Sequence, residues 1–339
     1  MKVVYFHPLI RRIVSIGMLP IGLCIAVLYS LLSITFSIFS FLIGRPDARH
    51  IRLALILIWY LLMEFLGVLF ALILWFGTGF GYTVNSTSSQ RIHAKVQYFW
   101  VSSILFGAKL FLRTRLNYPE EVSFGEGPFV IAAQHSSFFD ALLPTVLIGK
   151  FCNFVIPRHV LKSELLLSPS LDIYGHRLPN QFVKRNSGAS NVEVEGVRSL
   201  TKNLGSDACI IFPEGTFYTE ERSRRAIQKI STTDMDRSER VGVLKNLLPI
   251  KPGGLLALLD ANPDSDLFLI GHNGFQPFGS FKEILKNIPF KAPIEVFIRQ
   301  IPICDFPIDK SERLKFIDSE WLALDQWLET KLRDDDSTN

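Results

Sequence analysis

Apolar residues are concentrated in the first quarter of the chain and alternate with polar residues afterwards. The segment 13–44 carries no charged residue, and the segment 53–82 carries one, Glu64. Each segment is longer than the roughly 20 apolar residues that cross a bilayer as a helix. A short basic connector, 45–52, separates them. The pattern therefore predicts a membrane helical hairpin within residues 1–90.

The orientation of this hairpin follows from its topology rather than from its flanking charges. Basic residues lie on both sides of the apolar segments, which blunts the rule that positive flanks stay in the cytosol. A complete hairpin returns the chain to the side where it began. We therefore expect an integral membrane protein whose remaining domain is cytosolic, at a bacterial inner membrane or the endoplasmic reticulum. The alternative is a pair of helices that dip into one leaflet.

Glu64 is the one charged residue inside the two apolar segments, and its role has two interpretations. It is either a functional group that faces the helix pair or a residue that reaches toward a membrane interface.

A third apolar segment, 91–117, differs from the first two because its uncharged part is too short to span a membrane. It is rich in aromatic residues and has basic residues at its edges. An amphipathic helix in the membrane interface, with Tyr98 and Trp100 at headgroup depth, fits this composition. The alternative is a helix packed on the domain that follows.

From residue 118 to residue 339, short β-prone segments alternate with helical patterns. This alternation predicts an α/β fold with a largely parallel sheet flanked by helices. The segment 219–248 is charged and irregular, so we interpret it as an insertion. The predicted strands are 128–133, 151–156, 208–212, 266–270 and 294–298, and the predicted helices are 138–149, 190–204, 253–260 and 310–333.

Charge and cysteine usage narrow the possible functions. The net charge of +4 is mild, so it gives no reason to expect a nucleic-acid partner, and it is compatible with an anionic membrane surface. The four cysteines are scattered and form no CxxC pair or Cys/His cluster. Neither a disulfide framework nor a metal site is therefore expected.

His135 and Asp140 form the first candidate chemical group. They come directly after the predicted strand 128–133, where the apolar segment breaks and a helical pattern begins. If a helix starts just after His135, its positive end keeps the ring neutral, as a base requires. A carboxylate one turn later can bind one ring nitrogen and stabilise the imidazolium after proton uptake. The alternative is a helix-capping histidine and a solvated aspartate.

The second candidate group follows the predicted strand 208–212. Glu214, Gly215 and Thr216 place a carboxylate, a flexible backbone and a hydroxyl at the carboxyl end of this strand. Ligands of open α/β sheets bind at such strand ends, and glycine lets a ligand approach the backbone closely. Taken alone, the segment is equally compatible with an ordinary turn.

The two groups together are more specific than either one. The sequence HSSFFD at 135–140, followed by FPEGT at 212–216, resembles the signature of the glycerophospholipid acyltransferase family, H-x4-D plus F-P-E-G-T-R. The type member of that family is 1-acylglycerol-3-phosphate O-acyltransferase. The resemblance covers residues 120–300. The charged insertion and the sequence LPIKPGG at 248–254 are similar to the subgroup that contains lysocardiolipin and lysophosphatidylinositol acyltransferases.

This resemblance implies an activity. An acyl chain would move from acyl-CoA or acyl carrier protein to the free hydroxyl of a lysophospholipid such as 1-acylglycerol-3-phosphate. The reaction would serve phospholipid synthesis or remodelling and would need no cofactor and no metal. The region 118–339 would be the catalytic domain.

The resemblance also implies roles for particular residues. His135 would be the general base that takes the hydroxyl proton, and Asp140 would orient it. The implied substrate-binding residues are Glu214, Gly215 and Thr216, which would shape the acceptor site, and Arg185 and Lys251, which would bind phosphate.

One position departs from the family signature. Phe217 stands where the family has arginine, which is a bidentate phosphate ligand. Arg222, Arg224 and Arg225 could supply the missing charge, or the acceptor could be another lysolipid. Two other functions also stay open: a CoA-independent transacylase that exchanges chains between phospholipids, and a non-catalytic membrane protein that binds lipids.

Overall fold

The computed structural model describes residues 7–152, 155–183 and 190–337. Its strands are β1 (Leu116–Asn117), β2 (Phe129–Ala133), β3 (Pro157–Lys162), β4 (Gln181–Val183), β5 (Ala208–Ile211), β6 (Asp266–Asn273) and β7 (Ile294–Ile301). Its α-helices are α1 (Pro8–Leu42), α2 (Arg49–Gly77), α3 (Thr87–Gly107), α4 (Leu143–Phe151), α5 (Pro169–Arg177), α6 (Ser190–Ser199), α7 (Glu220–Ser231), α8 (Met235–Val241), α9 (Pro252–Ala261), α10 (Phe281–Asn287) and α11 (Lys310–Ser337).

Strands β1, β7, β6, β2, β5 and β3 lie side by side in that order. The central strand β2 is parallel to both of its neighbours, β5 and β6. Strand β3 is parallel to β5 and β1 to β7, whereas β6 and β7 are antiparallel. Every residue of β2 and β5 is buried, so both faces of the sheet centre are covered. The predicted α/β fold with a largely parallel sheet flanked by helices is confirmed.

The strand predicted at 151–156 is wrong. Phe151 ends α4, and the strand beside β5 begins only at Pro157. This strand was missed because it contains Arg158, a charged residue at a buried position. All five N–H donors of Arg158 are paired, with the carboxylate of Asp207 and with carbonyl oxygens of the turn before β5. A buried charge is tolerated when its donors are satisfied in this way.

The segment 219–248 is folded, so its interpretation as irregular is wrong. It contains α7 and α8, whose first turns are capped by the side chains of Thr219 and Asp234. Arg237 of α8 then binds Asp318 of α11 at 3.0 Å. The charged residues of this segment act as caps and ion pairs, which a pattern of apolar positions does not reveal.

Close contacts divide the chain into two units, and the chain passes between them several times. The first unit consists of Met1–Arg115, Leu161–Asn186 and Ser280–Pro293, and the second consists of Leu116–Val160, Ser187–Gly279 and Ile294–Asn339. The segments predicted as a hairpin and an interfacial helix fall in the first unit. The region 118–339, predicted to be continuous, contributes to both units.

Helices α1 and α2 of the first unit correspond to the two long apolar segments. Both are long and apolar enough to cross a membrane by length and composition. Many large apolar side chains of α1 are exposed, including Leu31 and Phe41. A helix that presents apolar side chains all round suits a lipid environment.

Glu64 of α2 fixes the start of α5, which belongs to the same unit. Its carboxylate accepts hydrogen bonds from Ser168 Oγ at 2.6 Å, from Ser170 N at 3.1 Å and from the Tyr60 hydroxyl at 2.8 Å. These bonds explain a carboxylate within an apolar helix, because it satisfies N–H and O–H donors at the first turn of α5.

Helix α3 packs on α2 through one face and leaves the opposite face exposed. Trp100 is only 5% exposed and lies on the packed face together with His93 and Gln97. Phe99 and Phe106 are exposed on the other face. Trp100 therefore packs within the protein, and the interfacial position of this helix stays a prediction.

Candidate active site

The loop after β2 wraps around the carboxylate of Asp140. His135 Nδ1 lies 3.0 Å from Asp140 Oδ1, and Ser137 N donates to Asp140 Oδ2 at 2.7 Å. Ser136 N donates to the same oxygen. The spacing of His135 and Asp140 thus closes a small ring of hydrogen bonds, which holds the imidazole by one nitrogen and leaves Nε2 for chemistry.

The expectation that a helix starts just after His135 is wrong. Residues 134–139 form a loop, Asp140–Leu142 is a 3-10 turn, and α4 begins at Leu143. The helix dipole acts within the first turn of a helix, so α4 does not act on the ring. The carboxylate of Asp140, rather than a helix end, orients His135.

Asp140 stays ionised although it is fully buried. Burial alone raises the pKa of a carboxyl group, but the hydrogen bond from His135 and the nearby imidazole of His272 outweigh it and lower the pKa of Asp140 to about 2. Asp140 therefore presents a negative charge to His135 throughout the neutral pH range.

Glu214 follows β5 and joins two loops. One carboxylate oxygen accepts from His135 N at 2.8 Å, and the other accepts from Leu248 N at 2.9 Å. Burial raises the pKa of Glu214 to about 8 against the opposing effect of these two N–H donors, and the charges of Asp140 and Asp325 add to the increase. Glu214 thus fixes the backbone of His135.

Gly215 lies beneath the side chain of Lys251. Its backbone has a φ of +68°, and a Cβ atom at this position would lie 2.7 Å from Lys251 Nζ. Only glycine combines that backbone conformation with so close an approach. The structure thereby brings Lys251 beside Glu214, Gly215 and the half-buried Thr216, whereas Arg185 lies outside the described residues.

Aromatic rings surround His135 on the side away from Asp140. The ring centroid of Phe217 is 4.4 Å from that of His135 in an edge-to-face arrangement, and Phe212 is 4.8 Å away. Phe138, which is exposed, packs edge-on against Phe217 at 5.2 Å. Arg222 donates to the carbonyl oxygen of Phe217 at 3.0 Å, so this arginine contacts the backbone at the position that differs from the family signature.

His272 near the end of β6 is a site residue that the sequence analysis missed. Its ring is buried, and its Nε2 lies 3.3 Å from Asp140 Oδ2. Its backbone N–H donates to the side chain of Gln134 at 2.8 Å. The available signal was its place at the carboxyl end of a predicted strand adjoining the one that precedes His135.

The carboxyl ends of β2, β5 and β6 thus supply a basic imidazole, its carboxylate partner and a second imidazole. Within the described residues, no group of three or more His, Cys, Asp or Glu side chains could hold a metal ion. Ser136 Oγ has no hydrogen-bond partner among the described residues, and Ser137 Oγ accepts from Asp140 N at 3.3 Å. Neither hydroxyl is bonded to His135, so the arrangement is suited to activating an external hydroxyl.

This arrangement defines an α/β protein with a histidine–carboxylate pair for acid–base chemistry. Comparison with known families adds that residues 112–263 match the model of the Acyltransferase family. The match supports an acyltransferase domain across β1 to α9, the part of the chain that carries His135, Asp140 and Glu214.

Among solved structures, the chain is similar to the crystal structure of PlsC, the 1-acyl-sn-glycerophosphate (LPA) acyltransferase from Thermotoga maritima. The two sequences are 15% identical, the match covers 79% of this chain and 97% of that chain, and the TM-score is 0.44. No curated protein matches the chain.

Proposed function

We propose that this protein is a membrane-bound O-acyltransferase that moves an acyl chain from acyl-CoA or acyl carrier protein to the free hydroxyl of a lysophospholipid. The observation that carries the proposal is the 3.0 Å contact between His135 Nδ1 and the buried carboxylate of Asp140. The acyltransferase family match over residues 112–263 supports the same reaction class.

In the proposed reaction, His135 Nε2 takes the proton of the acceptor hydroxyl as the oxygen attacks the thioester carbonyl carbon. The carbon–sulfur bond then breaks, and the departing thiolate receives the proton from the His135 imidazolium. Asp140 keeps the ring in position and stabilises the imidazolium between these two steps. The products are the acylated lipid and the free thiol.

The other predicted residues have supporting roles in this proposal. Glu214 holds the His135 backbone, and Gly215 and Thr216 line the acceptor side. Lys251 supplies a positive charge for a phosphate, and we assign the same role to Arg185 on the family resemblance alone. The apolar exteriors of α1 and α2 suit a membrane, where both the lysolipid and the acyl chain reside.

His135→Ala tests the function directly. We expect it to reduce acyl-CoA-dependent acylation of a lysolipid panel in isolated membranes by about a hundredfold or more, because the general base is lost. Ser136→Ala is the matched control and should keep wild-type activity, because its hydroxyl does not contact His135. Protein amounts are compared by immunoblot.

Other outcomes of this assay would favour the alternatives. Equal activity of His135→Ala and the wild type would contradict the assignment of the base. Acyl exchange without acyl-CoA or acyl carrier protein would point to a transacylase. Lipid binding with no turnover across the panel would point to a non-catalytic protein.

Phe217 bears on the acceptor, because its ring occupies the space beside His135 where the family has an arginine. We propose an acceptor other than a simple phosphate monoester. Phe217→Arg should raise activity toward 1-acylglycerol-3-phosphate, relative to lysolipids with an esterified phosphate, by about tenfold, the effect of one charge-assisted hydrogen bond. Phe217→Leu is the apolar control. If the ratio of the two activities were the same in Phe217→Arg and Phe217→Leu, the proposal that Phe217 disfavours a phosphate monoester would be contradicted.

A further inference from the structure

A second histidine, His272, lies against the carboxylate that orients the first. Its ring is 1% exposed, and its Nε2 is 3.3 Å from Asp140 Oδ2, the oxygen that does not face His135. Neither ring nitrogen of His272 has a hydrogen-bond partner among the described residues. A buried polar group without a partner is costly, so its presence needs an explanation.

The position of this imidazole is fixed by the strand and by its neighbours. Strand β6 is parallel to β2 in a register that pairs Ala133 with Ile270, which brings His272 beside the loop that follows β2. The side chain of Gln134 accepts the backbone N–H of His272, and the ring of Phe275 packs edge-on against the imidazole at 4.9 Å. The imidazole is thereby held with its Nε2 3.3 Å from Asp140 Oδ2.

We propose that His272 is a positioning residue that holds the Asp140 carboxylate against the His135 ring during acyl transfer. The inference rests on the function proposed above. Oδ1 of Asp140 serves His135, whereas Oδ2 receives the two backbone N–H groups of the loop and the imidazole of His272. A carboxylate held from both sides cannot rotate away when His135 becomes charged.

His272 also sets how much of the carboxylate charge acts on His135. The other titratable groups around this centre are Glu214, bonded to the His135 backbone, and Asp325 of α11, bonded to the backbone of 245–247. Both carboxylates are held by backbone N–H groups and not by a histidine. His272 is therefore the titratable group whose removal frees the Asp140 carboxylate on the side away from His135.

The kinetic test compares His272→Ala with His272→Gln. We expect His272→Ala to lower kcat by about tenfold to a hundredfold with little change in KM, because the base is misplaced while substrate binding is intact. The acid limb of kcat/KM should move to lower pH, because an Asp140 carboxylate that has moved away from His135 stabilises the His135 imidazolium less. His272→Gln keeps an N–H near Oδ2 and should restore most of kcat and the wild-type limb.

A substrate-free measurement separates this proposal from the proposed function. The pH dependence of carbethoxylation of His135 by diethyl pyrocarbonate, followed by mass spectrometry, should move to lower pH in His272→Ala even if no acyl acceptor is found. His159→Gln is the matched control, because His159 is also a buried histidine and its Nε2 lies 3.0 Å from Thr145 Oγ1. It should leave both profiles unchanged.

The proposal is overturned if His272→Ala keeps the wild-type kcat and carbethoxylation profile. It is equally overturned if His272→Gln is as impaired as His272→Ala, because the effect would then come from packing. If His272→Ala does not fold, the comparison of His272→Gln with His272→Leu decides between the same outcomes.

Discussion

At the scale of single residues, Glu214 links the His135 loop to the segment before α9, because each of its carboxylate oxygens accepts one backbone hydrogen bond. In Glu214→Gln, the amide nitrogen cannot accept, so one backbone N–H stays buried without a partner. We expect a loss of about 1–3 kcal/mol in the free energy of unfolding. Chemical denaturation in detergent measures it, with Glu239→Gln as an exposed control.

The stability difference between Glu214→Gln and the wild type should depend on pH. The folded-state pKa of Glu214 is raised to about 8 from an ordinary value of 4.5, so the folded protein binds a proton that the unfolded chain releases between these values. The stability from this group is complete below the lower value and declines as pH rises toward the higher one. Because glutamine does not titrate, the difference in the free energy of unfolding between the variant and the wild type should become smaller as the pH rises. A difference in the free energy of unfolding that does not change with pH would contradict the raised pKa of Glu214.

Local sequence was enough to place His135, Asp140 and Glu214 in one site, because each follows a strand directly. It was not enough for His272, which meets Asp140 only through the register between β2 and β6. The conformation of the segment between His135 and Asp140 was also not predictable. The six residues from His135 to Asp140 can start a helix or form a loop around a carboxylate. The loop forms because the backbone N–H groups of Ser136 and Ser137 donate to the Asp140 carboxylate.

At the scale of elements, α5 depends on a carboxylate from α2. Glu64→Ala leaves the Ser170 N–H and the Ser168 and Tyr60 hydroxyls without their acceptor, so we expect a cost of about 3 kcal/mol. Glu64→Gln keeps one acceptor oxygen and should cost less. The apparent Tm in detergent measures both, with the exposed Glu164→Ala as the control. Equal Tm values for Glu64→Ala and this control would show that α5 is held by other contacts.

Strands and helices were predictable where a pattern of apolar residues marks them. They were less predictable where ion pairs and capping hydrogen bonds of charged residues stabilise them. The apolar segments of β2, β5 and β6 were found within a residue or two at most ends. Strand β3 and helices α7 and α8 were missed because Arg158 and the capping residues look like surface residues in sequence. Their partners, such as Asp207 and Asp318, come later in the chain, and no local pattern joins them.

At the scale of the whole molecule, the first unit, which contains α1, α2 and α3, is not built from the N-terminal segment alone. It takes in Leu161–Asn186 and Ser280–Pro293, which interrupt the sequence of the sheet-bearing unit. The sequence could not show this, because the contacts responsible join distant residues. Arg11 and Asp172, for example, are 161 positions apart and form a buried ion pair at 2.7 Å.

That ion pair has a consequence for the order of biosynthesis. Because Asp172 is translated long after α1 and α2, Arg11 and Arg12 are uncompensated charges while the two apolar helices leave the ribosome. During this interval the two arginines lack the carboxylate that they bind in the folded unit. The carboxylate of α5 reaches them only afterwards, so the start of α1 is fixed to this unit only after the chain has been made as far as Asp172.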